Sequence, residues 1–76
     1  MTASELHDRL LDTLVREQGS TRRRWRLVTG PVRVLDPMLH PHCNWSVEAS
    51  GGTREVEAVE ALLDRLRLSH PMVTEG

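Results

Sequence analysis

His40-Pro41-His42-Cys43 is the densest run of potential chemistry in the chain, and His70 adds one more imidazole further on. Zn²⁺ favours tetrahedral sites built from Cys and His, so the residue types suit a metal. The spacing suits it less. His42 and Cys43 are neighbours, and neighbours on a strand point to opposite faces. No Cys-x-x-Cys or His-x-x-x-His pair completes a ligand set. A metal-stabilised domain using His40, His42, Cys43 or His70 is therefore a minor alternative. A nucleophilic pair would need Cys43 exposed with a lowered thiol pKa, and His40 or His70 oriented by a third group such as Asp36. Cys43 is in phase with Trp45, which puts it on an inward face, where a free cysteine behaves as a small hydrophobe. The chain therefore reads as non-enzymatic, with no cofactor. Ser50-Gly51-Gly52-Thr53 precedes a helix, and free N–H groups there could hold an anion. It lacks the lysine and spacing of a phosphate-binding loop and reads as a capping turn.

The second group of interest is basic. Arg22, Arg23, Arg24, Arg26 and Arg33 are five positive charges within twelve residues, with no acid among them and Trp25 in their midst. Arg binds phosphate bidentately and an exposed indole stacks on a base. Nucleic-acid binding through Arg22, Arg23, Arg24 and Arg26 is thus an alternative function. The stretch 55–64 is opposite in character: Glu55, Glu57, Glu60 and Asp64 with no base, which repels a phosphate backbone. Net charge is only −1, so the folded domain is polarised rather than strongly charged.

These groups must be positioned by very little chain. The 76 residues amount to one small domain, 1–76, able to bury about 60% of the surface its unfolded form exposes. The single cysteine rules out an internal disulfide and, with no signal-like stretch, points to a reducing, cytoplasmic compartment. Apolar runs stop at two or three residues, so no segment spans a membrane.

Residues 3–18 carry a helical stripe of Leu6, Leu10, Leu11, Leu14 and Val15, with Thr2 and Glu5 as a capping box and Gly19 as the stop. Glu5–Arg9 and Asp12–Arg16 have the i,i+4 spacing of helix ion pairs. From 23 to 35 the period becomes two: Trp25, Leu27 and Thr29 alternate with Arg24, Arg26 and Val28, and Val32 to Leu35 resume after Gly30-Pro31. Gly30-Pro31 is either a turn between two short strands, the preferred reading, or a bend in one edge strand. Asp36-Pro37 and His40-Pro41 bracket a loop whose Met38 and Leu39 are expected to fold back onto the domain. Residues 43–49 alternate cleanly, with Cys43, Trp45, Val47 and Ala49 inward and Asn44, Ser46 and Glu48 outward. Thr53 is the expected cap of a second helix, 54–68, striped by Val56, Val59, Leu62, Leu63 and Leu66 and stopped at Ser69-His70-Pro71. Residues 72–76 read as a loose tail.

The fold class is α+β, in the order α-β-β-β-α or α-β-β-α, with both helices on one face of a small antiparallel sheet spanning 23–49. That order and length are similar to those of double-stranded RNA-binding domains, with Gly52-Thr53 where their glycine–serine turn would be. The resemblance implies a basic phosphate clamp at the start of the second helix. Here those positions are Arg54, Glu55, Val56 and Glu57, a departure that removes the clamp. With both helices on one side, the other sheet face is bare and carries Arg24, Arg26, Val28, Arg33, Leu35, Asn44, Ser46 and Glu48, of which Arg24, Arg26, Arg33, Asn44 and Ser46 are the expected partner surface. Exposed sheet edges are normally paired or protected, and symmetric self-association is the common solution among soluble oligomers. The sequence thus points to a protein-interaction domain, homodimeric through that open face. It does not identify a further protein partner.

Overall fold

Thr2 opens the first helix as its residue types demand. Its hydroxyl accepts the Glu5 N–H (3.1 Å) and the Glu5 carboxylate accepts the Thr2 N–H (3.0 Å). The computed structural model, which describes residues 1–76, runs α1 (Ala3–Gln18), α2 (Arg22–Thr29), β1 (Arg33–Val34), β2 (Trp45–Ser46) and α3 (Thr53–Ser69). The class is α+β, with helices packed on a small antiparallel sheet. The strands pair as Arg33 with Ser46 and Val34 with Trp45. Leu6, Leu10, Leu11 and Leu14 of α1 meet Val59, Leu62, Leu63 and Leu66 of α3 over Trp45 and Val47, so the helices share the Trp45 side of the sheet.

The expected strand at 23–29 is a helix. Trp25 and Thr29 are four residues apart, a separation that both a period of two and a period of 3.6 place on one side. Val28 and Leu27 break the tie: Val28 is buried and Leu27 faces water. Thr21 caps α2 by accepting the Arg24 N–H (3.1 Å). Gly30 ends it at φ 62°, its N–H on the Arg26 carbonyl (3.0 Å), and Pro31 cannot continue it. Gly30-Pro31 is thus a helix stop, neither a turn between strands nor a strand bend, and the order is α-α-β-β-α. The cap of α3 is Gly52 rather than Thr53. Glu55 reaches back to the Gly52 N–H (3.0 Å).

The C-terminal residues are docked, not loose. Val73 is buried in the core. The Asn44 side chain brackets its backbone, Nδ2 donating to the Val73 carbonyl (2.7 Å) and Oδ1 accepting the Val73 N–H (2.8 Å). Beyond it, the Ala3 N–H donates to the Thr74 carbonyl (2.8 Å) and the Thr74 N–H to the Met1 carbonyl (3.0 Å). The tail therefore satisfies a free donor in the first turn of α1. Met38 and Leu39 do the opposite of what their apolarity suggests. Asp36 closes a turn, its carboxylate accepting the Met38 N–H and its carbonyl the Leu39 and His40 N–H groups. That turn holds Met38 (87% exposed) and Leu39 (76%) out in solvent.

Replacing Asn44 with Ala strips both partners from the buried Val73 backbone, at about 1–3 kcal/mol for each group left unsatisfied. Asn44→Ala is expected to lower the melting temperature by roughly 4–8 °C per kcal/mol lost, as for domains of this size. Amide exchange should report loss of protection at Val73 first. An unchanged melting curve would mean that the tail is not held by this side chain.

Candidate functional site

The structure separates the residues expected on one open sheet face. Arg33 and Ser46 do share it: they are cross-strand partners, opposite in phase to Val34 and Trp45, which face the core. Asn44 is instead buried against the tail, so it is a structural residue and not a contact surface. Arg24 and Arg26 lie on α2, away from the sheet. Arg24 is also committed within the chain. Its Nε and Nη2 fork onto the Glu55 carboxylate at 2.7 and 2.6 Å. That fork, with the Gly52 N–H, draws the Glu55 carboxyl down to about 2 and keeps the Arg24 guanidinium charged.

The arginine cluster is half neutralised for the same reason. Arg22 bridges Asp8 (2.7 Å) and Asp12 of α1. The expected Glu5–Arg9 and Asp12–Arg16 pairs are therefore absent: Glu5 is used by the cap and Asp12 by Arg22. Arg23 and Arg26 remain exposed without an ion pair, as does Arg33. Trp25 is no stacking platform, since it is buried with its Nε1–H on the Gly19 carbonyl (2.8 Å).

The histidines and the thiol do not converge. No three His, Cys, Asp or Glu side chains lie close enough to hold a metal ion. His40 and His42 are exposed in the hairpin loop. His70 approaches Arg9 (3.5 Å) in the open groove of about 760 Å³ between α1 and α3, which Cys43 does not line. The Cys43 thiol donates to the Trp45 carbonyl (3.4 Å), and no histidine hydrogen-bonds it.

What the strands leave open is a backbone edge. The Leu35 N–H donates to the Asn44 carbonyl (2.6 Å). In an antiparallel ladder, paired residues alternate between hydrogen-bonded and non-hydrogen-bonded, so Val34 and Trp45 form a non-hydrogen-bonded pair. The N–H and C=O of Val34 consequently point away from β2. Val32 shares that phase, and its N–H and C=O have no partner within the chain. Trp45 is in the same position on β2: its N–H points away from β1 and has no backbone partner within the chain, and the tail reaches the hairpin at Asn44, whose N–H donates to the Pro71 carbonyl (3.0 Å). Both edges of the hairpin thus keep unpaired backbone; on β1 the Val32 and Val34 side chains are tucked against the core and Arg33 and Leu35 lie on the outer face. No local sequence signal marks this edge, since which side of a strand is free depends on register.

One titratable contact ties α2 and the approach to β1 onto α1. His7 Nε2 is 3.2 Å from the Thr29 hydroxyl, which itself donates to the Gly30 carbonyl (3.0 Å). Burial first, and then the positive charge of Arg26, hold the His7 pKa below 6.5. A depressed histidine pKa means that the unfolded chain takes up the proton more readily. Stability is full above about 6.5 and falls as pH drops from there through the lowered folded value. The difference in melting temperature between the wild type and His7→Gln, which keeps an N–H for Thr29, should therefore change between pH 7.5 and 5, with the wild type losing more. Parallel curves would remove His7 from the account.

The chain matches no protein-family model, no curated protein and no solved structure.

Proposed function

We propose that this chain is a non-enzymatic protein-interaction domain that pairs with a second copy of itself through the sheet. The observation that carries the reading is the outward-pointing, unpartnered backbone of Val32 and Val34 beside the uncovered Arg33/Ser46 face. Unpaired strand edges are templates for another strand, and addition of a strand takes its affinity from main-chain hydrogen bonds. Pro31 before β1 and the charge of Arg33 protect this edge in part, and Val32 borders a groove shared with Ala3, Ser4, His7 and Gly76. None of these takes the Val34 N–H. The lone, half-buried Cys43 thiol fits a reducing, cytoplasmic setting.

A short edge buries much less than the roughly 1,600 Å² of a standard interface, so the association belongs to the weak, concentration-dependent class. Light scattering from micromolar to near-millimolar protein should show the mass rising from 8.6 kDa towards twice that value. Val34→Pro removes an N–H that no bond inside the chain uses. That variant should keep the wild-type helical circular dichroism and stay monomeric throughout. A wild-type mass of 8.6 kDa over the whole range would reject self-association.

A further inference from the structure

We infer that the groove between α1 and α3 binds a small phosphomonoester, with the phosphoryl group held between the Arg9 guanidinium, the His70 imidazole and the Thr13 hydroxyl. The site is independent of pairing through the sheet. Arg9, Thr13 and Glu17 follow one another at intervals of four residues, so they form one stripe along α1. That stripe faces α3, because Glu17 accepts from Arg65 (2.9 Å) and Arg9 meets His70 (3.5 Å). The two contacts show the helices running in opposite directions, and they differ in kind. At one end a carboxylate meets a guanidinium. At the other, guanidinium Nη1 meets imidazole Nε2, two nitrogens with no acid between them. Their separation is longer than the roughly 2.7–3.2 Å of a good N–H hydrogen bond. An anion is the partner that this end lacks.

The acids along the groove do not supply it. Glu5 Oε1 accepts the Thr2 N–H in the cap of α1, while Asp8 and Asp12 are turned onto Arg22 of α2. Arg9 has no ion pair, and neither has Arg16, two turns further along the groove. Thr13 lies between Arg9 and Glu17 on the groove wall. Its hydroxyl makes no hydrogen bond within the chain, and no buried side-chain polar atom goes unpaired, so that hydroxyl is open to the groove. Free carbonyls at the end of α3 would repel an anion, but the Arg65 carbonyl accepts from the Ser69 hydroxyl (3.3 Å) and the Leu66 carbonyl from the His70 N–H (2.7 Å). A guanidinium fork by itself satisfies a carboxylate. An imidazole from the opposite wall and a hydroxyl beside the fork provide for the three oxygens of a phosphoryl group. The groove, at about 760 Å³, is far larger than a phosphate ion and has the size of a small-ligand site, so the phosphate is carried by a larger molecule.

Titration of the whole chain with phenyl phosphate, inorganic phosphate and acetate at constant ionic strength, followed by amide NMR shifts, tests the site. Phenyl phosphate should give saturable shifts at Arg9, Thr13 and His70, with a Kd on the order of 1 mM, at least as tight as inorganic phosphate and tighter than acetate. Arg9→Gln should weaken binding about 10-fold or more, and Thr13→Val about 2- to 10-fold, as losses of a charged and a neutral hydrogen bond. Arg9 is exposed and Val has the shape of Thr, so both variants should keep the wild-type helical circular dichroism. Arg23→Gln removes an equally unpaired arginine outside the groove and should leave the Kd unchanged. Shifts that do not saturate, or an equal loss of binding in Arg23→Gln and Arg9→Gln, would mean only diffuse attraction of anions to surface arginines and would overturn the site. Acetate binding as tightly as phenyl phosphate would overturn the phosphoryl assignment, and tighter binding of inorganic phosphate would overturn the ester.

Discussion

The bracket that Asn44 places around the Val73 backbone is the contact on which most of the structure leans. It draws three distant parts of the chain together: the start of β2, the C-terminal tail and, through Thr74, the first turn of α1. A buried amide is tolerated only when its donors and acceptors are met, and here two are met by one residue. The tail in turn completes the roof over Trp45, whose Nε1–H donates to the His70 carbonyl (2.8 Å) and whose ring lies 5.7 Å from the Arg67 guanidinium. A two-residue strand could not hold an indole at 2% exposure on its own. It does so because the helices and the tail close around it.

That closure also fixes where the hairpin meets the rest of the chain. With the tail held at Asn44, the Val32 and Val34 backbone of β1 is left unpaired, beside the outer side chains of Arg33 and Leu35. The arginines follow the same logic. α2 turns Arg22 and Arg24 onto acids of α1 and α3, so the basic cluster serves partly as internal glue between helices. Exposed pairs of this kind contribute little individually. The Arg24 fork differs in geometry, being bidentate and shared with the cap of α3.

Much of the architecture is readable in residue order because it is locally encoded. The capping box at Thr2 and Glu5, the leucine stripe of α1 and the alternation around Trp45 each need only a few neighbouring residues to read. The segment of α2 reads wrongly as a strand because Trp25 and Thr29 satisfy both periods at once, although Thr21 before it and Gly30-Pro31 after it are helix start and stop signals. Asn44 reads as outward by alternation around Trp45, but it is buried, by a partner 29 residues away.

Residue order alone is enough for the α+β class, the bounds of α1 and α3 to within a residue, the inward side of β2 and the uneven charge. These follow from periodicity and capping, which act over one or two turns of chain. Long-range packing was needed to make the tail part of the core, to pair Arg22 and Arg24 with acids of the other helices, and to keep the histidines and the thiol apart. Each of those outcomes depends on which distant groups meet, and no spacing along the chain encodes such a meeting.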